Sequence, residues 1–248
     1  MPDIKARSKR VIDFHSHVLP NIDDGSSSLS MSKEILEETR RQKVKKMVAS
    51  PHFYPDRMAL DVFLSKREKA ANELLSIFDE ESCPFVFLGA EVAYYDGIGD
   101  SPLLDHLTIV GTNTVMVEMP FNKWSGKEVS EIVNISLGGR FNVLLAHIER
   151  YLSMQSEGVL ERLLSAGVYF QSNAEHFLNN ETQKRALEML KNRMIHVLGS
   201  DTHNTTTRPQ TIGKAKEIIK EKLGEDVISE MLYTSKILLE GAVSIDQM

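Results

Sequence analysis

Two histidines one residue apart, His15 and His17, lie in an apolar stretch from Val11 to Pro20 that runs into Asp23-Asp24-Gly25. Read as a β-strand, this stretch puts Asp13, His15 and His17 on one face and Ile12 and Phe14 on the other. Paired imidazoles at a strand end, followed by a carboxylate pair in a glycine-closed turn, can hold a metal ion. A histidine pair alone is also an ordinary feature of strands. In this chain, however, acids and histidines recur where apolar segments end: His52, Glu91, Glu118, His147, and Asp201 with His203. Any one of them would pass as a hydrogen-bonded polar residue at a strand edge. Together the eight read as a multinuclear metal site. Imidazole and carboxylate without thiolate suit Mn, Fe or Zn, whereas an all-oxygen set would suit Mg or Ca. A carboxylate such as Glu91 can bridge two ions. Ions ~3.5–4 Å apart commonly clamp the attacking and leaving oxygens of phosphoryl transfer and lower the pKa of a bound water.

The elements that must position these groups alternate along the chain. After the opening strand, a helix is expected from about Met31 to Lys43, then a strand from Lys46 to Ser50 ending at Pro51-His52. A long helix over Leu60 to Phe78 keeps helical apolar spacing, and Phe85 to Val92 reads as one buried strand, apolar on both faces until Glu91. Thr114 to Met119 and Asn142 to Ile148 are further strands, separated by a helix with capping-box spacing at Ser125 and Glu128. A helix at Glu157–Ser165, a strand at Val168–Asn173, a helix at Thr182–Lys191 and a strand from Ile195 to Ser200 follow. Thr207 and Gln210 again have capping spacing, with Pro209 in the first turn of a helix reaching about Lys222, and two short helical stretches close the chain. About seven such alternations favour a (β/α) barrel over a doubly wound sheet, with the strand C-termini converging on one mouth. No repeat or linker divides the chain, so residues 11–248 are expected to form a single domain behind a flexible basic leader at residues 1–10.

Composition narrows the function classes. A net charge of −6 argues against a general nucleic-acid binder. The first ten residues lack the apolar core of a secretory signal, and no apolar run approaches the ~20 residues that span a bilayer, so no membrane insertion is expected. The single Cys83 cannot form an internal disulfide, which fits the cytoplasm. The residue six after it is Gly89, so the Cys-x5-Arg phosphate cradle of cysteine-dependent tyrosine phosphatases is absent.

The motifs in order are His15-x-His17 with Asp23-Asp24-Gly25, Ser50-Pro51-His52, Gly89-Ala90-Glu91, Ala146-His147-Ile148-Glu149-Arg150-Tyr151 and Gly199-Ser200-Asp201-Thr202-His203-Asn204. They resemble those of the PHP (polymerase and histidinol phosphatase) superfamily, and more closely its bacterial protein-tyrosine phosphatases of capsule and exopolysaccharide operons. The resemblance runs from about Val11 to Gly241. It implies an α/β fold of the distorted (β/α)7 TIM-like barrel type, with three metal ions, usually manganese, at the C-terminal ends of the strands. Carried over by motif, one ion takes His15, His17, Glu91 and Asp201. A second shares Glu91 and adds Glu118 and His147, and a third takes Asp24, His52 and His203. Asp24 and Glu118 are often histidine in other branches, and their acidic identity is what the tyrosine-phosphatase branch implies. Arg150 and Arg208 match arginines that hold the substrate phosphate. A planar guanidinium fits two phosphate oxygens as lysine cannot.

The expected reaction is hydrolysis of protein phosphotyrosine by a metal-held hydroxide, with Arg150 and Arg208 stabilising the equatorial oxygens. The leaving phenolate corresponds to an acid of pKa ~10, so no general acid is assigned. The resemblance implies a tyrosine autokinase of polysaccharide synthesis as the substrate protein, and the chain is compatible with a homo-oligomer. Phe53, Tyr54, Phe121, Trp124 and Tyr151 fall in loops after strands and could line a slot for the phenyl ring. Two alternatives stand beside this reading. One is a small-molecule phosphomonoesterase such as a histidinol-phosphate phosphatase, and the other is a metal-bound regulatory module without turnover. His106, His176 and His196 lie outside the motifs and are expected to be surface or packing residues. Asp13, Glu149 and Asn173 are candidates to orient ligands from behind.

Overall fold

β-branched and aromatic runs favour extended backbone. They form nine strands in the computed structural model, which describes residues 11–79 and 81–248. The basic leader expected at residues 1–10 lies outside the described residues. The strands are β1 (Asp13–Ser16), β2 (Lys46–Ala49), β3 (His52–Phe53), β4 (Phe85–Leu88) and β5 (Glu91–Ala93), then β6 (Thr114–Glu118), β7 (Asn142–Leu145), β8 (Tyr169–Asn173) and β9 (Val197–Gly199). Their pairings are parallel, in the orders β1-β2-β4 and β3-β5-β6-β7-β8-β9. β2 and β3 are two halves of one path interrupted at Ser50-Pro51, and β4 and β5 are halves of another interrupted at Gly89-Ala90. Counting each interrupted pair once turns nine strands into seven positions, the number expected of the barrel. Ser16 bridges Thr202 in parallel, which brings the last strand back to the first.

The continuous strand expected over Phe85 to Val92 is therefore broken. Pro51 has no N–H to extend the ladder. The chain resumes when Glu91 N donates to the Pro51 carbonyl at 3.0 Å. Inside the sheet, Phe14, Val48, Phe87, Met116, Leu144 and Val197, from six different strands, share one buried cluster, and Leu238 packs into it. Each such side chain taken from water contributes roughly 1.5–3 kcal/mol. Residues buried on both faces of a strand leave the helices outside as the second layer.

Those helices are α1 (Leu29–Arg41), α2 (Leu60–Leu75), α3 (Leu104–Leu107), α4 (Gly126–Leu137), α5 (Glu157–Ser165), α6 (Gln183–Lys191), α7 (Ile212–Leu223) and α8 (Glu225–Leu238). The capping box at Ser125 and Glu128 forms as expected. The box expected at Thr207 and Gln210 does not, and α7 begins at Ile212 instead. The Asn204 side-chain oxygen accepts from the backbone of Thr206, Thr207 and Arg208, which holds that segment in a turn. Gln210 Oε1 in turn accepts from Ile212 N at 2.9 Å. At the C-terminus, the two expected short helical stretches are the 14-residue α8 and a single 3₁₀ turn at Ile245–Gln247.

Candidate metal centre

The mouth at the strand C-termini gathers all nine expected ligands. His15 is in β1 and His17 just beyond it, Asp24 lies in the following turn, and His52 and Glu91 open β3 and β5 directly after the two strand breaks. Glu118 ends β6, His147 lies two residues past β7, and Asp201 and His203 follow β9. Their ligand atoms fall into three groups, each within 4.8 Å: His15, His17 and Asp201; His17, Asp24, His52 and His203; and His52, Glu91 and Glu118. This grouping differs in part from the sets read from the motifs, because His17 also joins Asp24, His52 and His203. His147 reaches the cluster through Nε2, 2.8 Å from Glu91 Oε1 and 3.4 Å from Glu118 Oε1.

The separations are those of donors arranged for a shared cation. His15 Nε2 lies 3.1 Å from His17 Nε2 and 3.0 Å from Glu91 Oε2. His17 Nε2 is 3.4 Å from Asp201 Oδ1, and His52 Nε2 and His203 Nε2 each lie 3.5 Å from Asp24 Oδ1. Two donors each ~2.1 Å from one ion stand ~3.0–3.4 Å apart between octahedral and tetrahedral angles. His203 Nε2 is buried and makes no hydrogen bond, an orphan that a cation would satisfy.

Charge points the same way. Asp23, Asp24, Glu91, Glu118 and Asp201 crowd one end of the molecule, and all but Asp24, which is 67% exposed, are largely buried. Burying that excess without cations is costly. Burial alone would lower the His17 pKa, yet hydrogen bonds with Asp201, Asp23 and Glu91 hold it well above the usual imidazole value. Burial would likewise lower His147, but Glu118 and Glu91 raise it to about 9. The Glu91 carboxyl is held well below its ordinary value because His15, His147 and His17 outweigh its burial. His203 goes the other way, lowered to about 4 by burial and by the neighbouring charge of His17.

Behind the ligands stands a second set of contacts. His17 Nδ1 meets Asp23 Oδ2 at 2.7 Å, and that carboxylate also accepts from the backbone N–H groups of His52 and Gly25. Gln171 Oε1 accepts from His147 N at 2.7 Å and lies 3.2 Å from His15 Nδ1. Gln171 was assigned no role from sequence, and Asp23, read there as half of a carboxylate pair able to hold a metal, stands behind His17 instead. Asp13 does not share the histidine face at the cluster. The register is irregular between Asp13 and Ser16, and the Asp13 carboxylate instead accepts from Ser200 N, Ser200 Oγ, Gln210 Nε2 and His15 N. Asn173 Nδ2 donates to Asp201 Oδ2 at 2.9 Å, and Glu149 steadies Asn173 through its backbone N–H. Gly199 lets the seam close: a Cβ there would stand 2.4 Å from His15 Cβ. His147 and Asp201 both have left-handed backbone, at φ 33° and 52°. Non-glycine residues rarely adopt it, and it concentrates at functional sites.

Arg150 and Arg208 both reach Asp201 Oδ2, the latter at 2.7 Å. A cavity of about 270 Å³ opens beside them, lined also by Asn173 and Thr211. Of the five aromatics expected to line a slot, Phe53, Trp124 and Tyr151 are instead buried packing residues. Tyr151 Oη accepts from Met119 N, and Trp124 Nε1 donates to Pro120 O. Phe121 is 54% exposed and stacks on the His147 ring at 5.8 Å. Tyr54 is half-buried, with its hydroxyl 3.3 Å from His52 Nδ1. His106, His176 and His196 lie outside the three ligand groups.

A model of the family described as capsular polysaccharide synthesis, CpsB/CapC, matches residues 11–239. The tyrosine-protein phosphatase CpsB of Streptococcus pneumoniae is 28% identical over 249 residues, covering 94% of this chain and 100% of that protein. The tyrosine-protein phosphatase YwqE of Bacillus subtilis (strain 168) is 24% identical over 237 residues, covering 93% and 92%. Among the solved structures of the metal-dependent tyrosine phosphatases YwqE and CpsB, one chain superposes with a TM-score of 0.79 at 20% identity, covering 92% of this chain and 94% of its own. Histidinol phosphate phosphatase of Lactococcus lactis subsp. lactis Il1403, solved with zinc, L-histidinol and phosphate, superposes at 0.55 with 14% identity, covering 86% and 93%. At these identities the superpositions establish a shared fold.

Proposed function

The chain belongs to the CpsB/CapC family of capsular polysaccharide synthesis proteins, and from that premise we propose that it is a metal-dependent protein-tyrosine phosphatase. The observation that carries the reading is the convergence of imidazoles and carboxylates from five of the seven strand positions into three overlapping groups of ligand atoms, with His147 joining from a sixth. Relatives named tyrosine-protein phosphatases, aligned over nearly the whole chain, supply the substrate class.

In this proposal three divalent ions bind, manganese foremost, with iron or zinc compatible with the same donors. His15, His17, Glu91 and Asp201 would hold one. Glu91, Glu118 and His147 would hold the second, and Asp24, His52 and His203 the third, with His17 at the boundary of the first and third. Bound ions would supply Lewis acidity and a nucleophile at neutral pH. The chain's own share is to position and to balance charge. Arg150 and Arg208 turn paired N–H groups toward the phosphate oxygens. Asn173 fixes the Asp201 carboxylate from which both arginines extend. Asp23 and Gln171 hold imidazole rings in orientation. A phenolate leaves without a strong proton donor, so none is assigned. Residues 11–248 act as one catalytic domain, placed in the cytoplasm, and the substrate protein is a tyrosine autokinase of polysaccharide synthesis.

Chelation is the direct test. Phosphate release from a phosphotyrosyl peptide should fall at least 100-fold after exhaustive chelation and return with Mn²⁺, while thiol alkylation has no effect. Activity that survives chelation and is lost on alkylation would end the proposal. A rate on histidinol phosphate exceeding that on phosphotyrosyl peptide would reassign the substrate to a small molecule. Metal uptake without turnover of either would leave a regulatory module.

A further inference from the structure

On the Asp24 side of the mouth lies a cavity of about 380 Å³ that no step above uses. It opens against Asp24 and His52, is walled by Ile22, Tyr54 and Met58, and carries Arg57 among its lining. The Arg57 guanidinium sits 4.4 Å over the Tyr54 ring. Among the described residues it has no carboxylate partner at ion-pairing distance. Stacking uses the face of the planar group and leaves its in-plane N–H groups available to an anion. Arg150 and Arg208 lie against Asp201 and do not line this cavity. The acids of this cavity face inward, Asp23 to His17 at 2.7 Å and Asp24 to His52 and His203 at 3.5 Å. Arg57 is the one guanidinium lining it.

The spacing suits a polypeptide. The Tyr54 and His52 rings are 5.2 Å apart, so Arg57 stands within about 10 Å of a ligand imidazole. Extended chain advances ~3.3 Å per residue, which makes that gap two to three residues. We propose that this cavity is a substrate subsite binding a second anionic side chain, two to three positions from the scissile phosphotyrosine, with Arg57 as its cation and Ile22 and Met58 as apolar walls. A carboxylate and a second phosphotyrosine share the chemistry required. The inference rests on the tyrosine-phosphatase reading above.

The test is a ratio of kcat/KM values measured on the metal-loaded full chain. Three phosphotyrosyl peptides are compared, with alanine, glutamate or a second phosphotyrosine at the flanking positions. Wild type should favour an anionic flank about twofold to fivefold, the upper part of the range of a partly exposed charge pair. The gain should appear in KM. Arg57→Gln should bring the ratio to about one, and Arg57→Glu should invert it. General damage to the enzyme would lower numerator and denominator together and leave the ratio unmoved. A gain with glutamate identifies a carboxylate as sufficient, and a gain confined to the doubly phosphorylated peptide identifies a phosphoryl group. Equal rates on all three peptides in wild type, or a preference that persists in Arg57→Gln, would overturn the subsite while leaving the phosphatase reading intact. No hydrolysis of any of the three peptides would overturn both.

Discussion

Gln171 has a buried amide whose oxygen reaches one ligand through its ring nitrogen and another through its backbone N–H. Removing it leaves His15 free to turn and the His147 N–H without an acceptor. Gln171→Ala should therefore weaken metal binding ~10–100-fold by titration calorimetry while the far-ultraviolet dichroism stays unchanged. An unaltered affinity would mean that the rings are held by packing alone. The ligands themselves were legible because histidine and acid at the ends of apolar segments are unusual. Gln171 was not, since an amide inside a strand carries no mark of what it faces. Asp23 and Asp24 are neighbours of one type that residue chemistry alone does not separate; the family motif picks Asp24 as the ligand, and the coordinates put Asp23 behind His17. The expectation that Asp13, His15 and His17 share a face presumed a regular strand, and an irregular register between Asp13 and Ser16 defeats it.

At the scale of elements, alternation of strand and helix was readable throughout, and α5 occupies the interval its pattern predicts. The breaks in the second and third barrel positions were not. Their cause lies partly in another element: Arg67, on the buried face of α2, donates to Gly89 O at 2.9 Å and lies near His106 O at 3.4 Å. Burial lowers its pKa to about 10. An arginine in an apolar helix face appears to a periodicity reading as a flaw, whereas here it satisfies the Gly89 carbonyl at the strand break, two residues before Glu91, and the His106 carbonyl of α3. Arg67→Met should cost about 1–3 kcal/mol, seen as a lower denaturation midpoint, because those acceptors would be buried unpaired. A stability equal to wild type would show that water replaces the guanidinium. The start of α7 was misjudged for a related reason, since Asn204 competes for the backbone amides that a helix from Thr207 would use.

Across the whole molecule, acid acts at more than one place. His196, away from the ligand cluster, accepts from Phe170 N at 2.9 Å, and burial holds its pKa at about 4. Its unfolded value is ~6.5, so the unfolded chain binds the extra proton first. Stability from this group is complete above pH ~6.5 and is lost as pH falls towards 4. His196→Gln, which keeps an acceptor, should flatten the decline between pH 7 and 5 by on the order of 1 kcal/mol in denaturant titrations. A parallel decline in both proteins would assign the acid sensitivity to other groups. The seam between the first strand and the last has a different consequence. His17 N donates to Thr202 O and Asp201 N to His15 O, so during translation the first strand waits for the synthesis of Thr202 before this seam can close. A ribosome stalled before Asp201 would release a product lacking one wall of the cage.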